Sequence, residues 1–197
     1  MRIWIAALIL LTSALAYAQS HLPAREVSIA WDRGAPKVSF SAKDLADERV
    51  RRELSSGLRK RLQINVSAHF KSSNYELAHR SFGCDVTRDL WEDGYLVRIG
   101  SQSRRFKTLD QVLDHCLSVK GLFVGEPDRY EQNEGKNIYF FVRAEFNPIS
   151  KQQCRELIRP TSGDDPIGPI TVYIVRRRIC QAERRVEFRS EFLKVPQ

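Results

Sequence analysis

The chain has 197 residues, 42% of them hydrophobic, with 32 Lys and Arg against 24 Asp and Glu and a net charge of +8. That hydrophobic content excludes an intrinsically disordered chain, and the length suits one domain with a real core. The basic balance favours solubility and anionic neighbours such as lipid head groups, acidic glycans or nucleic acid.

Arg2 is the only charge among the first twenty residues, and Ile3–Leu11 is an apolar run. Ala16-Tyr17-Ala18 places small residues at the two positions that a signal peptidase reads. Residues 1–18 are therefore read as a signal peptide cleaved after Ala18, and the chain is expected to be periplasmic or secreted. The run is shorter than the roughly 20 residues that span a bilayer. No later run is apolar enough either, so no transmembrane segment is expected beyond the signal. No cysteine follows the apolar run, which argues against a lipid anchor. Removing Arg2 lowers the net charge from +8 to +7.

Residues 19–197 read as a single β-rich domain. Val27–Trp31 and Lys37–Ser41 alternate like strands, separated by a turn at Asp32-Arg33-Gly34. A helix follows, with Asp44 or Asp47 as its cap and Ala46, Val50 and Leu54 as its apolar stripe. Gly57 stops it. Leu62–Phe70 alternates without error, with Leu62, Ile64, Val66, Ala68 and Phe70 inward and Gln63, Asn65, Ser67 and His69 outward. Lys71–Asn74 is a turn, and Tyr75–Arg80 returns as the second arm of a hairpin. Phe82–Leu90 is the next strand; Trp91–Gly94 turns into the strand Tyr95–Ile99. Residues 100–105 read as a polar loop.

Thr108 caps a second helix whose stripe is Leu109, Val112, Leu113, Cys116 and Leu117. Gly121 ends it, before a short strand Leu122–Val124. Glu126–Lys136 is turn-rich. Asn137–Phe146 is a long strand with Tyr139 and Phe141 on its outer face, which suggests partial cover there. Ser150 caps a short helix through about Ile158. Residues 160–169 carry three prolines and two glycines and read as a mobile loop. Strands near Ile170–Arg177 and Arg184–Phe192 close the chain. Hairpin spacing and alternating faces imply antiparallel pairing. The expected fold is mainly β with α, an antiparallel β-sandwich of about eight to ten short strands with two or three short packed helices.

All four cysteines, Cys84, Cys116, Cys154 and Cys180, fall after the signal. An even count in an exported chain points to disulfides, and the absence of C-x-x-C spacing argues against zinc or a redox motif. Of the three connectivities, Cys84–Cys116 with Cys154–Cys180 is favoured, because each pair joins neighbouring elements. Loops of roughly 30 residues would each contribute about 3–4 kcal/mol in the chain-entropy model.

Leu54-Ser-Ser-Gly-Leu58, the strand Leu62–Phe70, Asp89-Leu-Trp91, Gly94–Val97, Phe106–Leu113 and the strand Ile138–Phe146 follow one another in a recognisable order. In this the chain resembles a bacterial envelope family, family 4390 of the domains of unknown function, over roughly residues 37–150 and the C-terminal strands. The family's tryptophan-rich hairpin tip is replaced by Ser72–Tyr75. The resemblance implies an exported β-rich module and no catalytic residues.

The residues themselves carry no G-x-S-x-G, H-E-x-x-H, P-loop or dinucleotide fingerprint. His21, His69, His79 and His115 are scattered; His69 and His79 lie close only across the hairpin and read as exposed strand residues. Asp85, Asp89, Glu92 and Asp93 read as a solvated turn rather than a metal site. Asn65-Val-Ser67 is a glycosylation sequon relevant only in a eukaryotic host. Arg176, Arg178, Arg184 and Arg185 flank Cys180, and Arg59 and Arg61 form a second run. Together they make a candidate patch for an anionic partner. Aromatics interleaved with these arginines are lacking, so nucleic acid is not expected. The expectation is a non-enzymatic module, without cofactor or metal, that binds an envelope protein or an anionic lipid or glycan. The alternatives are a cell-envelope hydrolase and a structural assembly subunit.

Overall fold

The computed structural model describes residues 22–73, 75–149, 152, 154 and 181–196. Two antiparallel sheets face each other, and three short α-helices complete the sandwich. The strands are β1 (Ser28–Asp32), β2 (Ala35–Ser41), β3 (Lys60–Phe70), β4 (Glu76–Asp89), β5 (Gly94–Ile99), β6 (Gln102–Phe106), β7 (Ser118–Phe123), β8 (Asn137–Phe146), β9 (Arg184–Arg189) and β10 (Leu193–Lys194). The helices are α1 (Glu48–Leu54), α2 (Leu109–Leu117) and α3 (Pro127–Glu131). The larger sheet runs β10-β8-β3-β4-β5-β6, with β9 also paired to β8; the smaller runs β1-β2-β7. Among the described residues no helix is long and apolar enough to cross a membrane.

The period-2 pattern of β3 decides which face of the large sheet is buried. Leu62, Ile64, Val66 and Ala68 point inward beside Phe146, Ala144, Val142 and Phe140 of β8. The small sheet supplies Val38, Phe40 and Val119 from the other side. Leu45, on a 3-10 turn Lys43–Leu45, joins them with Val50 and Leu54 of α1. Asp47, not Asp44, caps α1: its carboxylate accepts from the Val50 N–H at 3.0 Å. Thr108 caps α2 in a full capping box with Gln111, which satisfies two otherwise open backbone donors. The α2 stripe is buried at Val112, Leu113, Cys116 and Leu117. Cys116 is bonded from there to Cys84 of β4.

Four local expectations change. Tyr75–Arg80 and Phe82–Leu90 are one strand, β4, continuous through the polar Ser81 and bulged where His69 meets Glu76. The loop expected at 100–105 is mostly β6, an edge strand that is polar up to its last residue, Phe106, and among the described residues pairs only with β5. Its backbone ladder forms with Phe106 as its one apolar side chain, so no periodic signal marks it. Gly121 does not stop α2; the helix ends at Leu117, and Gly121 sits within β7 at φ 61°. Within the turn-rich stretch, Pro127 opens α3 at its first turn, where its missing N–H costs nothing.

Tyr130 of α3 plugs one end of the sandwich. Its ring meets Trp31 edge-on at 5.3 Å, and its hydroxyl donates to the Val124 carbonyl at 2.6 Å. Gly125 beside it holds φ 85°, and a Cβ there would lie 2.5 Å from the Cβ of Ala78. Only glycine fits so close to β4. The strand expected at Ile170–Arg177 and the loop at 160–169 lie outside the described residues. Of the expected helix after Ser150, only Gln152 and Cys154 are described, and both are helical.

Candidate functional site

The same alternation that buries one face of the large sheet turns Gln63, Asn65, Ser67 and His69 to the other. Their partners on β8 are Glu145, Arg143, Phe141 and Tyr139 in that order. On β9, Arg185 stands opposite Glu145, Glu187 opposite Arg143, and Arg189 opposite Phe141. On β4, His79 stands opposite Ser67. The outer face therefore grades from ion pairs at one end to aromatic rings at the other.

The aromatic end is built from three chain segments. His69 stacks on Tyr139 with ring centroids 5.5 Å apart and meets the edge of Phe141 at 6.4 Å. Phe192, just past β9, meets Tyr139 edge-on at 5.7 Å and is 44% exposed. Lys71 and Arg189 lie over the Phe192 ring at 4.8 and 4.7 Å, and Arg143 lies over Phe141 at 5.4 Å. Each such cation on a ring face contributes on the order of 0.5–1 kcal/mol at an exposed site. Ser67 is only 6% exposed beneath the rings, and its hydroxyl is 2.8 Å from His69 Nε2. The other ring nitrogen, His69 Nδ1, is buried without a hydrogen-bond partner among the described residues. His69 is thus half-buried in a cluster rather than exposed, while His79 is exposed. The two do not form a metal site with a third ligand; no group of three or more ligating side chains occurs among the described residues.

The arginine runs behave differently from a free cationic patch. Arg59 reaches Asp85 at 2.6 Å and Arg61 reaches it at 3.6 Å. Arg185 pairs with Glu145 at 3.0 Å and Arg184 with Asp47 at 3.4 Å. The two runs do end near one another. The Arg61 N–H donates to Asn147 Oδ1 at 2.8 Å, and Asn147 Nδ2 donates to Glu183 at 2.9 Å. Arg176 and Arg178 lie outside the described residues. At this end each described arginine of the expected patch already faces a carboxylate. Lys71 and Arg189, among the rings, face no carboxylate among the described residues.

The cluster's rings stand beside Arg143 and Arg189 rather than beside the arginines of the expected patch, and they come from β8 and from the segment after β9. Tyr139 and Phe141 on one face of β8 were the sequence signal for them. Phe192 and Lys71 carried none, because only the sheet order brings them to Tyr139. The acids Asp89 and Glu92 pair with Arg105, and Asp93 with Arg88 at 3.4 Å, as befits a turn. At its tip Trp91 is 97% exposed.

The Cys84–Cys116 bridge is present with Cα atoms 6.0 Å apart. Cys154 is buried. Its expected partner, Cys180, lies outside the described residues. No family model, curated protein or solved structure matches the chain.

Proposed function

We propose that this chain is an exported, non-enzymatic β-sandwich module that binds an acidic glycan of the cell envelope on the outer face of its large sheet. The observation that carries the reading is the cluster of His69, Tyr139, Phe141 and Phe192 with Lys71 and Arg189 over its outermost ring. Ring faces suit the apolar faces of sugar rings, and the two cations lacking carboxylate partners suit the acid groups between them. The signal-like N-terminus and the resemblance to an envelope family support the compartment.

Calorimetric titration with a polyuronate oligosaccharide tests this. Binding is expected to weaken with salt and to be lost in a Tyr139→Ser/Phe192→Ser variant that keeps its unfolding midpoint. Equal binding by that variant overturns the reading. Preference for anionic vesicles or for single-stranded DNA over the glycan also overturns it, the latter because bases stack on the same ring faces.

A further inference from the structure

A second surface lies on the opposite side of β3 from β8. Strand β4 pairs with β3 from Ala78 to Val86, but β5 joins its other side only from Asp85 to Asp89. Its backbone edge from Ala78 to Cys84 therefore has no strand partner among the described residues. Among the described residues strand β7 ends the small sheet, with β2 as its one neighbour. Between the two edges is an open cleft of about 370 Å³, lined by Arg80, Phe82, His115, Lys120, Leu122 and Phe123 among others. An open strand edge is a template for another extended chain.

Proteins commonly blunt such edges with an inward charge or a bulge. Lys120 and the irregular pairing at Gly121 do this for β7. The β4 edge carries one inward charge, Arg80, but its pairing runs without a bulge from Ala78 to Val86. Its alternation aims Arg80 and Phe82 into the cleft, since they stand opposite the buried Val66 and Ile64. Arg80 and Lys120 are both exposed, and neither makes an ion pair among the described residues. Arg104, also unpaired, places its charge close enough to His115 to lower that imidazole's pKa, after burial as the main cause. The cleft thus offers a row of backbone donors and acceptors, an apolar floor and uncompensated positive charge.

We propose that the β4 edge takes up an extended acidic peptide from a protein partner as an added antiparallel or parallel strand. Its inward side chains alternate an acidic residue, facing Arg80 and Lys120, with an apolar residue over Phe82 and Leu122. Main-chain hydrogen bonds supply affinity and the alternate side chains supply selectivity, as in other strand-addition sites. This surface is separate from the aromatic cluster on the outer face and does not depend on it.

The test uses the full chain and a blocked synthetic peptide in which threonine alternates with glutamate and valine. The peptide is expected to bind and to raise amide protection at Ala78–Cys84. Three losses on the order of ten-fold or more are expected. They follow lysine in place of glutamate in the peptide, N-methylation of alternate peptide amides, and the Arg80→Ser/Lys120→Ser variant. The two substituted side chains are exposed and unpaired, so that variant should unfold at the wild-type midpoint. The outer-face variant Tyr139→Ser/Phe192→Ser should bind the peptide unchanged. No binding of the parent peptide, equal binding of the N-methylated peptide, or loss only in the outer-face variant each overturns the proposal.

Discussion

Cys116, on the buried stripe of α2, is covalently joined to Cys84 at the centre of β4. The link closes a loop with a sequence separation of 32 that contains β5 and β6. Among the described residues those two strands form the far edge of the large sheet, and β6 pairs only with β5. In the chain-entropy model a loop of this size contributes about 3–4 kcal/mol. Cys84→Ala/Cys116→Ala is therefore expected to lose roughly that much in urea unfolding. The parent in reductant, which opens every bridge, should move at least as far. An unchanged midpoint in the double variant would show that the bridge restrains nothing the fold does not already hold.

This bridge was legible in the sequence because Cys116 falls on the α2 stripe with Val112 and Leu113, and Cys84 alternates with Val86. Side-chain period fixes which face a residue takes, and face is what the bridge needed. The same rule found β3, β8 and the two capped helices. It failed for β6, where Phe106 is the one apolar residue and no alternation precedes it, and for α3, which is a single turn set by Pro127. The candidate site shows the limit most clearly. Tyr139 and Phe141 could be placed on an outer face, but Phe192, Lys71 and His69 reach them only through the strand order β10-β8-β3, a long-range fact. The arginine runs were visible as charge, whereas their carboxylate partners Asp85, Asp47 and Glu145 come from distant positions.

Ser190 is a polar residue only 1% exposed, at the point where β9 leaves the sheet. Its hydroxyl accepts from the Phe140 N–H at 2.9 Å and donates to the Glu191 carbonyl at 2.7 Å. Ser190→Ala leaves the buried Phe140 donor without a partner, at a cost of about 1–3 kcal/mol. Ser190→Thr, which keeps the hydroxyl, separates lost bonding from altered packing. If alanine is tolerated within a few tenths of a kcal/mol, the Phe140 N–H has found another acceptor.

Gly125 is expected to resist replacement more strongly than any exposed glycine. Gly125→Ala meets two penalties, a positive φ that disfavours any Cβ and a 2.5 Å approach to the Ala78 Cβ. A loss of about 2–4 kcal/mol follows from overpacking together with backbone strain. Gly135→Ala serves as the control. It shares a positive φ, at 71°, but a Cβ there meets nothing within 4 Å. Equal losses at both positions would mean that the clash with β4 relaxes freely and only the backbone term remains.

His115 gives the fold a pH dependence whose sign is fixed. The ring tilts against Phe106 at 5.0 Å. Burial first, and the charge of Arg104 second, lower its pKa from the usual 6.5. Below about 6.5 the unfolded chain binds a proton that the folded chain resists, so the unfolded state holds more protons there. Stability should be full above that pH and fall as pH drops through the folded pKa. His115→Gln should flatten the dependence of the urea midpoint between pH 7 and pH 5, and Arg104→Gln should flatten it in part. Both flanking acids on α2 are already engaged, Asp114 with Lys43 and Asp110 with Arg51, so neither is free to hold the protonated imidazole. A parent profile steeper by the same amount in both variants, or a midpoint that rises on acidification, would contradict this assignment.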